Sequence, residues 1–313
     1  MELLDAARIR AVLQPGALVE TLRTAFAHQE DVVVPERGHH RVDDEREATL
    51  LVMPAWESGR WIGVKVVAHF PHNGQRGLPA IQGSYLLTDG TDGRPVAVLD
   101  GAELTRWRTA AASALAADSL APRTVREHLL VGAGNVAAAL PHCYAAVREV
   151  GLTRVWARTP DKAEDLVGRL RQEGFAAEVC GDLREGVRRA DVVSAATSST
   201  SPLILAEDVR PGTHVDLIGA FTPAMHEADE ALITSASLFV DVEAALHEPG
   251  EIVDALERGT LRREDVRATL ADLAAGRHTG RSSEEEVTVF ESVGTALEDL
   301  VAAALVWRAH SGA

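Results

Sequence analysis

Gly132-Ala133-Gly134-Asn135-Val136-Ala137 follows directly on the apolar run His128–Val131 and opens a helix-like stretch. That spacing suits the diphosphate of a dinucleotide. The first glycine permits a tight turn, the second lets the backbone approach the phosphates, and the small Ala137 lets the helix pack on its strand. The free N–H groups and positive dipole end of the helix then favour the anion. The next apolar run ends Val155-Trp156-Ala157-Arg158-Thr159, with Lys162 just beyond. No carboxylate stands at Ala157 or Arg158 to take a ribose 2′-hydroxyl. Arg158, Thr159 and Lys162 suit a 2′-phosphate instead, so NADPH is expected, with NADH as the alternative. Two further runs end in Thr197-Ser198-Ser199 and in Gly219-Ala220-Phe221, where hydroxyls and bare backbone would line a cofactor at the carboxyl ends of strands. Gly219 would let a nicotinamide ring lie close to the main chain.

The rest of the chain narrows the choice of partner. The net charge is −16, which repels phosphate backbones and excludes nucleic acid as an expected partner. An anionic ligand must therefore be caught by local cations. Lys65 stands out because it interrupts the apolar run Trp61–Phe70; taken alone, such a residue reads as a surface or salt-bridged one. His39, His40, His69 and His72 match no zinc spacing, so no metal is expected. Ser198 and Ser199 lack the glycine frame of a hydrolase nucleophile. Cys143 and Cys180 are too few for a disulfide framework and fit a reducing cytoplasm. No signal peptide and no apolar run of membrane length are visible.

The elements that must position these residues fall into two patterns. Six β-like runs, His128–Val131, Arg154–Ala157, Ala177–Cys180, Asp191–Ala196, His214–Ile218 and Leu238–Val242, alternate with helical stretches such as Val136–Val150, Pro160–Glu173, Leu183–Ala190 and Pro223–Ser235. This α/β alternation predicts a doubly wound parallel sheet, a Rossmann domain over 121–285. Before it come a helix at Gly16–Gln29 and β-like segments at Ala48–Met53, Trp61–Phe70, Gly83–Thr88 and Pro95–Asp100. Ser58-Gly59, Asn73-Gly74 and Asp92-Gly93 punctuate them as turns. They predict an α+β domain of antiparallel pairs, followed by an alanine-rich helix, Gly101–Leu120, stopped by Pro122. The charged stretch Arg281–Glu286 reads as a solvated loop, and the tail Val287–Ala309 as helix.

Leu99-Asp-Gly101, Leu104-Thr-Arg-Trp-Arg-Thr-Ala-Ala111, Gly132-Ala-Gly134, Val155-Trp-Ala-Arg-Thr159, Phe239-Val-Asp241 and Ser292-Val-Gly294 together resemble the ornithine cyclodeaminase/μ-crystallin family over nearly the whole chain. Leu78-Pro79, Gln82-Gly-Ser-Tyr85 and Gly219-Ala-Phe-Thr-Pro223 look most like its Δ1-pyrroline-2-carboxylate (ketimine) reductase branch. The resemblance implies a substrate and dimerisation domain, 1–120, completed by a C-terminal helix within 286–313. It also implies a homodimer made through the N-terminal β-structure. Its three carboxylate-binding cations fall on Arg37, Lys65 and Arg108, with Lys65 and Arg108 as the catalytic pair. Gln82, Phe221, Val293 and Gly294 join them at the substrate, and Thr109 joins the cofactor residues.

Two departures matter. Where true ornithine cyclodeaminases carry an aspartate and, four residues on, a lysine, this chain has Phe221 and Met225. Expelling ammonia needs an acid/base that phenylalanine cannot supply. Glu291 stands where many relatives have lysine. The expected activity is thus NADPH-dependent reduction of a small cyclic imine carboxylate, Δ1-pyrroline-2-carboxylate or Δ1-piperideine-2-carboxylate. Ornithine cyclodeamination, an alanine-type amino-acid dehydrogenase and a non-catalytic NADPH-dependent binding protein are the alternatives. Asp241 is expected to be structural.

Overall fold

The computed structural model describes residues 1–44 and 47–312, the side chains of 74 and 75 excepted. The chain forms two compact units, one of residues 1–108 together with the segment from Thr295 onward, the other Thr109–Gly294.

The first unit contains β1 (Glu2–Leu4), α1 (Ala6–Val12), α2 (Pro15–Ala27), β2 (Val32–Val33), β3 (Gly38–Asp43), β4 (Ala48–Glu57), β5 (Trp61–His69), β6 (Ile81–Asp89) and β7 (Pro95–Asp100). Asp5 caps α1 by accepting from the Arg8 N–H at 2.9 Å, and Pro15 opens α2. The strands lie in the order β1-β7-β6-β5-β4-β2, with β3 also paired to β4. Gly59 and Gly93 turn the β4–β5 and β6–β7 hairpins with φ of 71° and 77°, which side chains resist. Asn73-Gly74 lies instead in a short 3-10 segment, Pro71–Arg76. Alternation does the rest: Met53, Ala55, Gly63, Lys65, Tyr85, Leu87, Ala97 and Leu99 are buried on one face. The final helix, Ala296–Ser311, packs across β4, β5 and β6 on this unit and against α2. The opposite face carries exposed Ile62, Val66 and Leu86.

α3 (Gly101–Leu120) begins in the first unit and ends in the second, so the division falls at 108, not 120. The second unit then runs β8 (Val125–Val131), α4 (Asn135–Tyr144), β9 (Val150–Trp156), α5 (Pro160–Gln172), β10 (Ala177–Val179), α6 (Leu183–Arg189), β11 (Val192–Ala195), β12 (Thr200–Ile204), β13 (His214–Leu217), β14 (His226–Ala228), α7 (Glu230–Ser235), β15 (Ser237–Val240), α8 (Gly250–Arg258), β16 (Val266–Thr269), α9 (Leu270–Ala274) and β17 (Thr288–Glu291). The final helix is α10. Eight parallel strands pair in the order β10-β9-β8-β11-β13-β17-β15-β16, and β12 pairs with β14 apart from them. Parallel sheets are covered on both faces, and β11, β13 and β17 are buried at every residue; the polar side chains of His128, Ser194, His214, Asp216 and Thr288 in the middle of the sheet hydrogen-bond to one another.

Two expectations are corrected. The tail is not helical from Val287, because Thr288–Glu291 enters the centre of the sheet between β13 and β15. This also moves the second boundary from 285 to 294. Pro223–Ser235 holds a strand as well as a helix, because Glu227 and its neighbours pair β14 with β12. The stretch Arg281–Glu286 is a loop exposed at Ser282–Glu285, as expected; Arg281 itself is half-buried, donating to the carbonyls of Leu120 at 2.7 Å and Glu286 at 2.5 Å, and so ties the loop to the end of α3.

Candidate active site

In the first unit the sheet register sets Leu99, Tyr85, Lys65 and Met53 opposite one another across β7, β6, β5 and β4. Lys65 therefore points to the covered face, where water cannot solvate it. Its Nζ lies 2.6 Å from Asp299 Oδ2. Arg108, near the middle of α3, donates through Nε to Asp299 Oδ1 at 3.1 Å and through Nη1 to Glu298 Oε2 at 2.8 Å. Glu298 and Asp299 occupy the first turn of α10, where the helix dipole favours negative charge. Two cations and two carboxylates, all buried, thus neutralise one another. Burial pulls Lys65 down to about 8 against the opposing pull of Asp299. Burial acts to raise Asp299, but Lys65 and Arg108 hold it below its ordinary range. The Tyr85 hydroxyl, pushed up by burial and by Asp299, has no hydrogen-bond partner among the described residues. Its ring has room only because position 63 is glycine, whose Cβ would overlap the hydroxyl.

Arg37 lies between β2 and β3, partly exposed, one residue before Gly38, which pairs with Val52. It therefore comes to the β3 end of the row that contains Met53 and Lys65. Gln82 pairs with Ala68 and, three residues from Tyr85, projects from the other face of the sheet. The register does not bring it to Lys65.

In the second unit Gly132 turns with φ 110°, and a Cβ there would sit 2.7 Å from the Ala196 carbonyl. Gly134 is the N-cap of α4, with no side chain capping the helix. A Cβ on Gly134 would meet nothing within 4 Å. Ala137 is fully buried under the strand. Backbone N–H groups of Ala133, Asn135 and Val136 thus border an open, uncapped helix start, and the turn fits a dinucleotide diphosphate. At the end of β9, Arg158, Thr159 and Lys162 are all exposed. Arg158 makes no ion pair among the described residues, and Thr159 is the N-cap of α5. Thr109 is buried on α3.

The loops after β11 and β13 are joined by a residue that the sequence did not single out. Glu227 Oε1 accepts from the Thr197 N–H at 2.6 Å and the Thr197 hydroxyl at 2.7 Å. Its Oε2 accepts from the N–H groups of Ile218 at 3.0 Å and Gly219 at 2.6 Å. Ser199 braces the same loop through its hydroxyl, which donates to the Ser201 carbonyl at 2.6 Å, while Ser198 is exposed. Gly219 must be glycine, since a Cβ would overlap the Thr197 backbone. Phe221 follows, half-buried. After β17, Val293 is buried and Gly294 donates its N–H to Asp241 Oδ2 at 2.6 Å. Asp241 also accepts from the Ser292 hydroxyl at 3.1 Å, which gives it the structural part expected. The candidate substrate residues are divided between the units: Arg37, Lys65, Gln82 and Arg108 in the first, Phe221, Val293 and Gly294 in the second.

Among the described residues, no helix is long and apolar enough to cross a membrane. The chain is 43% identical over 269 residues to the Δ1-pyrroline-2-carboxylate reductase of Paracoccus denitrificans, covering 84% of each protein. Its structure superposes with a TM-score of 0.95 on Thermococcus litoralis Δ1-pyrroline-2-carboxylate reductase solved with NADH and L-proline, at 28% identity over 100% of this chain and 98% of that one. An archaeal alanine dehydrogenase dimer with bound NAD gives 0.91, at 30% identity over 99% and 96% of the two chains. The model of the ornithine cyclodeaminase/mu-crystallin family matches residues 2–312, and the chain belongs to that family.

Proposed function

We propose that the protein reduces a small cyclic imine bearing a carboxylate, Δ1-pyrroline-2-carboxylate first and its six-membered homologue second, with NADPH as the preferred reductant. The observation that carries this reading is the buried pair Lys65 and Arg108, held side by side by Asp299. Two fixed cations recognise a carboxylate, the guanidinium with two-pronged geometry, and Arg37 completes the set. Asp299 and Glu298 keep both cations in one orientation before substrate arrives, and positioning is much of the catalysis. NADPH supplies a hydride to the imine carbon, and the nitrogen keeps its proton as the amine. A protonated cyclic imine is already electrophilic, so no side-chain acid is required, and the ring of Phe221 suits the apolar methylenes.

The 2′-phosphate preference rests on Arg158, Thr159 and Lys162, exposed and without a neighbouring carboxylate at 157 or 158. A homodimer through the outer face of the first unit's sheet is part of the same reading, supported by exposed Ile62, Val66 and Leu86 on that face. So is a cytoplasmic location.

The test follows NADPH absorbance with both cyclic imines, beside an ammonia assay with ornithine and NAD. Imine reduction without ammonia release is expected. Arg158→Ala should raise KM for NADPH by roughly 10–100-fold, since a charge-assisted contact contributes about 1.5–3 kcal/mol, and leave NADH nearly unchanged. Ammonia from ornithine with no imine reduction would establish the cyclodeaminase instead. Tight NADPH binding with silence in both assays would leave a binding protein.

A further inference from the structure

We propose that Glu227 is the positioning residue of the dinucleotide site: its buried carboxylate holds the loops after β11 and β13 together beside the Gly132 turn, and its protonation state sets how tightly the dinucleotide is held. This rests on the reading that the glycine turn binds a nicotinamide dinucleotide.

The geometry is specific. Four donors from two loops converge on one carboxylate, two on each oxygen. The first of these loops touches the phosphate turn, since a Cβ on Gly132 would meet the Ala196 carbonyl and Thr197 Cγ2. Glu227 thus reaches the turn through one layer of backbone. An ionised carboxylate only accepts hydrogen bonds; a protonated one carries a hydrogen of its own and must release at least one of these four donors.

The groups facing Glu227 are mostly acids. Glu251, from the first turn of α8, accepts the Glu227 N–H at 3.1 Å through Oε1, and its Oε2 has no partner among the described residues. Glu291, from the end of β17, is fully buried with neither oxygen partnered among the described residues. Asp241 faces Glu291 from the end of β15. His226, beside Glu227 on β14, lies 3.5 Å from Asp254 and faces Glu251. Burial is the main influence on all three glutamates: it lifts Glu227 to about 7, raises Glu251, and raises Glu291 well above the ordinary carboxylate range. Glu291 has no donor to lose, so it takes the first proton, and Glu227 with four donors keeps its charge. As pH falls through about 7 a further proton reaches Glu227, and the grip on the loops is released.

The test titrates the full-length protein with NADH, which lacks the separately titrating 2′-phosphate, by fluorescence between pH 5.5 and 8.5. Hydrogen exchange of the unliganded protein is followed at Thr197, Ile218 and Gly219. The wild type should bind NADH several-fold more weakly at pH 6 than at pH 8. Glu227→Gln must turn an amide hydrogen toward existing donors. It should bind at least tenfold more weakly at pH 8, with no further change through pH 7, and exchange faster at the three amides. Thr197→Val removes a single donor and should lose a smaller factor while keeping the pH dependence, which guards against a Glu227 variant that fails to fold. Wild-type affinity in either variant, or a wild-type affinity flat from pH 6 to 8, would overturn the proposal. A wild type that binds neither NADH nor NADPH would overturn the dinucleotide reading and this one with it. Normal dinucleotide binding with no imine turnover would remove only the proposed substrate.

Discussion

The first unit buries Lys65, Arg108, Glu298 and Asp299, whereas the second buries Glu227, Glu251 and Glu291. In the first, each cation has a carboxylate within 3.1 Å and the set is neutral by pairing. In the second, no lysine or arginine among the described residues pairs with the three glutamates. Charge there is held by backbone and hydroxyl donors, as at Glu227, or removed by a proton, as at Glu291. Desolvating a charge is expensive in both places. Pairing produces a cluster that keeps its charges through neutrality and loses one only as Lys65 deprotonates above about 8. Donor-held carboxylates produce one that changes near neutrality. A clamp for a charged substrate calls for the first kind, and a strap between loops can be built from the second.

The comparison can be broken most sharply at Asp299. Asp299→Ala leaves Lys65 and Arg108 buried with one carboxylate fewer, and should cost about 3–5 kcal/mol in chemical denaturation. A loss under 1 kcal/mol would mean the first cluster is not held by pairing. Glu291→Gln should act in the opposite direction. Because the folded protein raises the Glu291 pKa, the folded state holds the proton more tightly than the unfolded chain. Its contribution is present below the unfolded value of 4.5 and is lost as pH rises toward the folded value. The variant should match the wild type at pH 5 and be about 1–3 kcal/mol more stable at pH 8, the cost of an unsatisfied buried group. Equal stability at both pH values would show that Glu291 has a partner after all. The smallest effect tests Lys65, which loses its proton as pH rises through about 8. Inhibition by L-proline, a carboxylate without the imine, should weaken by up to tenfold per pH unit above 8, or about 1.4 kcal/mol. No weakening by pH 9.5 would place the carboxylate on the arginines alone.

Much of the first cluster was legible. Lys65 interrupts the apolar run Trp61–Phe70, which singles it out, although only the family resemblance gave it a role beyond a surface or salt-bridged residue. Glu298-Asp299 carries a comparable signal, two acids inside the apolar stretch Thr295-Ala-Leu-Glu-Asp-Leu-Val301, yet it reads as ordinary first-turn chemistry. Glu227 carried no such signal, because His226-Glu-Ala-Asp-Glu230 looks like a solvated charged run. Only the pairing of β14 with β12 turns that glutamate inward. The six runs located β8, β9, β10, β11, β13 and β15, because alternation of short apolar runs with helical stretches marks a doubly wound sheet even where a strand carries polar residues, as β13 does with His214 and Asp216. β17 escaped because it is only four residues long and Ser292–Thr295 alone separate it from α10, so the strand and the helix read as one apolar stretch. β16 escaped because Arg267 disguises an edge strand.

The late position of α10 governs the order in which the chain can fold. Arg108 and Asp299 are 191 residues apart, and between them lies the whole of the second unit, continuous in sequence. During synthesis the antiparallel sheet of the first unit emerges long before the helix that covers it, with Lys65 lacking its counter-ion and the face around Tyr85 still wet. The second unit is complete once Gly294 has emerged and can close its own core while the first waits. Contacts of such long sequence separation form slowly, and uncovered sheet faces invite association with other chains. The cluster of Lys65, Arg108, Glu298 and Asp299 is therefore the last part of the molecule to assemble, and a chain that stops short of Glu298 would keep its second unit and lose the cluster.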